Sequence, residues 1–297
     1  MKHVPVLFNK AVESLVQNAD GNYVDCTFGQ GGHSKEILRT LSSKGNLNAF
    51  DLDELAEVEA KKIKNPNFSF HKTNFKNIGD YFNDDELDGI LIDCGVSSPQ
   101  IDEPSRGFSF MRDGPLDMRF GKQVKLSCES IINNYAYKDL VRIFKEYGEE
   151  TESKRIAREI VAKREQDRII STKQLSNLIE NIKKIKTKKN PSTKVFQALR
   201  MEVNQELDNL KICLSRAKRL LKKNGRLVVI SFHSLEDRIV KNYFKTEERL
   251  HEKDIPLLSE QVQKKKFLVS SVITPEESEL VSNVRARSAK MRVVTKL

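Results

Sequence analysis

The sequence predicts an α/β protein: a parallel sheet with crossover helices, interrupted by a helical insertion. Three observations carry that prediction. Short apolar runs alternate with helical stretches through the first third of the chain. No convincing core strand occurs between about Ser97 and Pro191. Then Arg226-Leu227-Val228-Val229-Ile230-Ser231-Phe232 returns the chain to a strand.

Taken in order, Tyr23 to Thr27 reads as a buried strand, followed by a glycine turn at Gly29-Gln30-Gly31-Gly32. Ser34 is a good N-cap for a helix to about Leu41, stopped by Gly45 and Asn46. A second strand, Leu47 to Phe50, ends in Asp51, and a helix rich in Ala, Glu and Lys follows as far as Asn65-Pro66. Phe68 to Phe70 and Leu87 to Asp93 are the third and fourth strands. Within the insertion, Tyr137 to Tyr147, Glu152 to Arg164 and Thr172 to Lys184 read as helices, and the basic run Lys183 to Lys189 as an exposed loop. From Ser192 to about Lys223, the residues Leu199, Val203, Leu207, Leu210, Leu214, Ala217 and Leu221 recur at steps of three and four. They form the stripe of one long helix, with Asn224-Gly225 as its stop. Phe267 to Ile273 and Met291 to Thr295 are a candidate closing antiparallel pair. The expected division is a sheet domain over 1–104 and 192–297 and an inserted helical domain over 105–191.

Of 297 residues, 38% are apolar, enough at this length for a core, so wholesale disorder is excluded. Lys and Arg number 52 against 42 Asp and Glu, and the resulting charge of +10 favours a polyanionic partner such as nucleic acid. Cys26, Cys94, Cys128 and Cys213 stand far apart with no CxxC pair. Neither a disulfide scaffold nor a metal site is expected, and the reduced cytoplasm is the expected compartment. The opening Met1 to Phe8 has too short an apolar run for a signal peptide. No stretch approaches the roughly 18 apolar residues of a membrane span, so no membrane partner is expected.

The strongest chemical signal is the strand–turn–helix from Asp25 to Ser34. Its glycines let a ligand approach the backbone, and Asp51 closes the next strand where ribose hydroxyls are bound in dinucleotide-type folds. A plain tight turn is the alternative reading. A dinucleotide pattern needs a third glycine at position 34, which is Ser34. That substitution disfavours NAD and favours a cofactor without a diphosphate, such as S-adenosyl-L-methionine. Asp25 agrees, since a carboxylate there accepts from an amino group and repels phosphate. Asp93 ends the fourth strand and should face the same crevice, with helix capping or loop bracing as its structural alternative. Ser97 and Ser98 lack a histidine at a useful spacing, which disfavours a Ser-His-Asp triad. The segment Arg106 to Arg119 mixes aromatic, basic and acidic residues. It reads equally as a loop that stacks a base and grips phosphate or as a packed loop. His233 stands at a strand end, while Ser234 with Asp237 forms a capping box that opens a helix.

Motifs over nearly the whole chain resemble one family. They run through His3-x-Pro5-Val6-Leu7, Asp25-x-Thr27-x-Gly29-x-Gly31-Gly32-His33-Ser34, and Asp88-Gly89-Ile90-Leu91-x-Asp93-x-Gly95-Val96-Ser97-Ser98-Pro99-Gln100. They continue through Arg106-Gly107-Phe108-Ser109-Phe110, Gly114-Pro115-Leu116-Asp117-Met118-Arg119, Tyr147-Gly148-Glu149-Glu150, Phe196 to Arg200, Ile230 to Lys241 and Arg285 to Ala289. The sequence is similar to the RsmH (MraW) family of 16S ribosomal RNA (cytosine-N4)-methyltransferases. Gln30, Phe120 and Val284 depart from the family's usual residues.

The resemblance implies a Rossmann-like class I S-adenosylmethionine-dependent methyltransferase sheet with an inserted helical domain. It implies cofactor contacts at Gly31, Gly32, His33, Asp51, Phe75, Asp93 and Gln100, and a cytosine of the decoding centre as substrate. Because the N4 lone pair of cytosine is delocalised into the ring, an acceptor on the amine would aid transfer. Asp93 is the first candidate, with Asp117 and His233 in reserve. Arg106, Arg112, Arg119, Arg285 and Arg287 are the candidate RNA contacts, the small ribosomal subunit the expected partner, and a homodimer is left open. The rival classes are a non-catalytic rRNA-binding assembly factor and, behind it, an NAD-dependent oxidoreductase.

Overall fold

A computed structural model of the protein describes residues 5–183, 190–249 and 266–297. His3 and the Lys184 to Lys189 part of the basic run lie outside the described residues. The chain forms two compact units, Met1–Gly95 with Leu207–Leu297, and Val96–Glu206. The divisions fall at 95/96 and 206/207, instead of the expected 104/105 and 191/192.

The first unit opens with α1 (Phe8–Leu15), β1 (Asn22–Asp25), α2 (Gly32–Thr40), β2 (Asn46–Phe50), α3 (Glu54–Ala60), β3 (Phe68–His71) and β4 (Leu87–Asp93). The second unit follows with α4 (Ser98–Asp102), α5 (Cys128–Asn134), α6 (Tyr137–Glu146), α7 (Ser153–Gln166), α8 (Thr172–Ile182) and α9 (Thr193–Asn204). The first unit then resumes with α10 (Glu206–Leu220), β5 (Leu221–Ser231), α11 (Ser234–Arg249), β6 (Phe267–Val269), α12 (Glu277–Ser282) and β7 (Lys290–Lys296).

The seven strands form one sheet in the order β3-β2-β1-β4-β5-β7-β6. The pairs among β1 to β5 are parallel, while β7 runs antiparallel to both β5 and β6. A parallel strand covered on both faces must be apolar throughout. In β4, accordingly, Ile90, Leu91 and Ile92 are all buried. Register aligns Asp25 with Leu91 and Asp93 with Ile230, so the carboxyl ends of β1, β4 and β5 lie side by side. Among the described residues no helix is long and apolar enough to cross a membrane.

The second unit has its own apolar core, built from residues such as Ile131, Ile143, Phe144, Ile160, Leu175 and Leu199. As expected, the described part of the insertion contains no sheet strand; its one extended contact is an isolated bridge between Pro115 and Ser171.

The single long helix expected from Ser192 to Lys223 is two helices. Gln205 sits between them in the left-handed region, at φ 51°. The reason lies in packing: Leu199 and Val203 belong to the core of the helical unit, whereas Leu210, Leu214 and Leu221 belong to the core of the sheet. One straight stripe cannot serve both. Arg200 grips Glu206 across the break, with Nε–Oε1 at 2.8 Å and Nη2–Oε2 at 2.9 Å. Asn204 fixes the upper half, its amide donating to the Met118 carbonyl and accepting from the Phe120 N–H. Asn224-Gly225 does not stop the second helix, which ends at Leu220. These residues lie in an irregular stretch of β5, where Leu221 pairs with Leu87 and Arg226 already pairs with Gly89. A non-glycine residue in the left-handed region costs about 1 kcal/mol. Gln205→Gly should therefore be neutral to stabilising by up to about 1 kcal/mol, read as an unchanged or higher denaturation midpoint.

Candidate cofactor crevice

The carboxyl ends of β1, β2 and β4 bring most of the candidate residues together. Past β1 the chain turns sharply, and the Gly31 N–H donates to the Phe28 carbonyl at 2.7 Å. Gly31 has φ 72° and caps α2; a Cβ there would come within 2.6 Å of the Phe28 ring. Only glycine fits. Next to it, a Cβ on Gly32 would collide with the Pro5 ring at 2.2 Å. The helix thus starts at Gly32, ahead of the expected N-cap, Ser34. Buried Ser34 instead donates from Oγ to Asp25 Oδ2 at 2.6 Å. The other Asp25 oxygen accepts from the Thr27 N–H at 3.1 Å. Asp25 is 1% exposed, and burial raises its pKa. It braces the loop and is not open to a ligand's amino group.

Asp51 extends β2 toward this turn. Its Oδ2 accepts from the Gly29 N–H at 2.7 Å and its Oδ1 from the Asp53 N–H at 2.9 Å. Burial pushes its pKa up to about 6, against the lowering effect of those N–H bonds. Each carboxylate oxygen has a second lone pair, so Asp51 retains acceptor capacity for a pair of hydroxyls. Past β3, Phe75 opens a short 3-10 helix over Phe75–Asp80, capped by Asn74, and rests half-buried on the sheet core.

Asp93 ends β4. Its N–H donates to Thr27 Oγ1 at 2.7 Å, and its Oδ1 accepts from the Gly95 N–H at 2.9 Å. Burial first, then the charges of Asp25 and Glu236, raise its pKa to about 7. His33 Nδ1 stands 3.9 Å from Asp93 Oδ2. The His33 ring is 5% exposed, and burial holds its pKa down near 4, so it is neutral at physiological pH. Its Nε2 is buried and has no hydrogen-bond partner among the described residues.

His233, held in reserve as an acceptor, takes part in a helix cap. Its Nδ1 accepts from the Glu236 N–H at 3.3 Å, while Glu236 Oε2 accepts from the N–H groups of Phe232 (2.8 Å) and His233 (3.3 Å). This is a reciprocal capping box with histidine in the usual Ser/Thr place. Its register is one residue earlier than the expected Ser234–Asp237 pair. His233 Nε2 lies 2.8 Å from Glu236 Oε1, so both ring nitrogens face that one residue. Asp237 turns instead to Arg292, with Oδ1 at 2.6 Å from Nε.

The remaining candidates divide between the units. In the sheet unit, Arg285 and Arg287 are both exposed on a 3-10 segment, flanking buried Ala286. In the helical unit, Gln100 is buried and its Oε1 accepts from the Ser97 N–H at 2.9 Å, completing the cap of α4. Asp117 is clamped by Arg119 through Nε–Oδ1 at 2.7 Å and Nη2–Oδ2 at 2.8 Å. That clamp and its hydrogen bonds lower the Asp117 pKa despite burial, which makes it a poor proton acceptor. Arg119 is correspondingly neutralised. Arg106 caps the carbonyls of Arg119 and Phe120 and lies over the Phe108 ring at 5.7 Å. Both arginines brace the loop. Arg112, bonded to the Asp102 carbonyl at 3.0 Å, remains exposed.

Thr27, Asp53 and Glu236 were not among the sequence candidates. Only the His233-x-x-Glu236 spacing carried a signal that could have found one of them.

A sheet in this order, with an antiparallel β7, a glycine turn after β1 and an acid after β2, is that of a Rossmann-like class I methyltransferase. The chain belongs to the MraW methylase family, whose model matches residues 1–297. Similar proteins include one from Caldicellulosiruptor saccharolyticus named "Ribosomal RNA small subunit methyltransferase H", 46% identical over 100% of this chain and 99% of that protein. Relatives of the same name from Coxiella burnetii (44% identical, 99% of each chain) and Streptococcus mutans (42% identical, 99% of this chain and 98% of the other) agree.

Proposed function

We propose that the protein transfers a methyl group from S-adenosyl-L-methionine to the N4 amine of a cytosine in the decoding centre, the P-site region, of 16S ribosomal RNA. The small ribosomal subunit in the cytoplasm is its substrate. The observation that carries this reading is the Asp51 carboxylate hydrogen-bonded to the Gly29 N–H, which puts a hydroxyl acceptor beside the glycine turn.

The residues present fit the cofactor. Asp51 has spare lone pairs for the ribose hydroxyls, Gly31 gives the turn its left-handed bend, and the buried Nε2 of His33 lacks a partner among the described residues. Asp93 adds a carboxyl suited to a positively charged donor, and Phe75 supplies an apolar face. When bound, the cofactor supplies an electrophilic methyl on a sulfonium. Asp93 accepts a hydrogen bond from the cytosine amine through its ionised carboxylate. That bond draws the nitrogen toward a pyramidal, more nucleophilic form and takes up charge as the new bond forms. The Gly95 N–H and the Thr27 hydroxyl hold Asp93 in place. A carboxyl that titrates near 7 is well matched to this role at cellular pH.

Calorimetric titration with S-adenosyl-L-methionine, then mapping of the methylated nucleotide in 16S rRNA from cells with and without the protein, tests the reading. Absence of binding or of a missing methyl-cytosine refutes it. Of the candidate RNA contacts, exposed Arg112, Arg285 and Arg287 are the phosphate-binding set, while Arg106 and Arg119 support the loop. Affinity for the small subunit should fall steeply with salt. Removing any one of the three exposed arginines should reduce the log–log slope by about 1, whereas a flat response contradicts phosphate contact.

A further inference from the structure

We infer that Glu236 is a specificity-determining residue for the methyl donor: a buried carboxylate, not itself a cofactor contact, that makes the crevice favour the sulfonium cation over the neutral thioether left after transfer. The inference rests on the methyltransferase reading above.

Three carboxyl groups gather where three neighbouring strands end. Asp25 ends β1 at 1% exposure, Asp93 ends β4, and Glu236 lies just past β5 at 2% exposure. Cross-strand bonds hold these ends together: the Cys26 N–H donates to the Leu91 carbonyl and the Cys94 N–H to the Ile230 carbonyl, both at 2.9 Å. Among the described residues, no lysine or arginine forms an ion pair with any of the three. The nearby guanidinium of Arg292, on β7, is already committed to Asp237 at 2.6 Å. On α2, the imidazole closest to Asp93 is that of His33, which burial keeps neutral and whose Nε2 is unpartnered among the described residues. His233, on the loop that opens α11, is tied to Glu236 itself. The other titratable neighbours, Cys26 and Cys94, are thiols.

Among the described residues, the wall therefore gathers three carboxyl groups with no lysine or arginine counter-ion, and the only basic side chains beside them are the imidazoles of His33 and His233. Negative charge there is costly, and two things relieve it: a proton on Asp93 or a cation in the crevice. The raised pKa of Asp93, to which Glu236 contributes, is the first form of relief. A sulfonium is the second. Donor and product share the adenosine, the amino acid ammonium and the amino acid carboxylate. They differ in one methyl and one positive charge, and the charge difference is what a fixed anion senses. Glu236 suits the task because its Oε2 accepts from the Phe232 and His233 N–H groups, which fix the carboxyl in place.

Glu236→Gln tests this, since the glutamine oxygen still accepts from the Phe232 and His233 N–H groups and closes the capping box, while the charge is lost and the amide NH2 replaces Oε1 beside His233 Nε2. Dissociation constants for S-adenosyl-L-methionine and S-adenosyl-L-homocysteine are measured by calorimetry on the full-length protein at pH 8.5, where Asp93 is ionised in either variant. The product-to-donor ratio of dissociation constants should fall about five- to tenfold in the variant, with product affinity and melting temperature nearly unchanged. The rise of donor affinity with pH, set by Asp93 in the wild type, should also move to lower pH. An unchanged ratio and pH profile overturns the inference. So does equal weakening of both ligands, which marks a purely structural residue. Failure of the wild type to bind either ligand overturns both the inference and the methyltransferase reading, so the two failures are distinguishable.

Discussion

Asp93→Asn is expected to slow single-turnover methyl transfer at saturating donor by about 10²- to 10⁴-fold, the range for losing a positioned proton acceptor. The asparagine oxygen still accepts from the Gly95 N–H, so the β4 end should keep its shape, and circular dichroism should show an intact fold. In the wild type the rate should climb as pH rises through about 7 and level off above, because only the ionised carboxylate accepts from the amine. In the variant that limb should vanish. Donor affinity is measured separately, and transfer at the wild-type rate with bound donor would remove Asp93 from the chemistry.

Asp51→Asn should weaken donor binding about 100-fold, since it replaces the carboxylate proposed to accept two hydroxyl hydrogen bonds by a group with one oxygen. The pH dependence gives a second reading. Burial raises Asp51 to about 6 and Asp93 to about 7, above the usual carboxylate range. Between about pH 4 and 7 the folded, donor-free protein therefore holds protons that the unfolded chain releases. These groups favour the folded state at mildly acidic pH, and their contribution is lost as pH rises through 6 and 7. A ligand that hydrogen-bonds or pairs with the ionised carboxylates reverses this penalty. The melting-temperature gain from donor should consequently be larger at pH 8 than at pH 5, and Asp51→Asn should flatten the difference. An equal gain at both pH values would count against carboxylate recognition.

The sheet was legible because its strands obey one rule. A buried parallel strand is apolar along its length, and Leu87–Asp93 could scarcely be anything else. The ends of those strands were legible as well, since Asp51 and Asp93 stand directly after apolar runs. What stayed hidden depended on partners from elsewhere in the chain. The Leu199 to Leu221 stripe continues in helical register through Gln205 with no glycine or proline to mark the break, which exists because two cores claim the two halves. The helix Phe8–Leu15 follows Leu7, which adopts φ 53° and offers no side-chain cap, so no start signal was present. Two i,i+3 pairs compete at the start of α11, and the buried carboxylate of Glu236 decides in favour of the earlier one. Arg106 and Arg119 advertise charge in the sequence, but folding turns them onto carbonyls and Asp117.

The distance along the chain between β4 and its sheet neighbour β5 has a consequence for biosynthesis. β4 is complete at Asp93, yet the strand beside it begins only at Leu221. The intervening Val96–Glu206 unit is continuous and carries a separate core. As the polypeptide leaves the ribosome, this unit can consolidate early from short-range contacts, while half of the sheet waits with an open edge. The proposed donor crevice, which needs the ends of β4 and β5 together, would then mature last, and a nascent chain truncated before β5 should be well ordered in its middle and unable to catalyse.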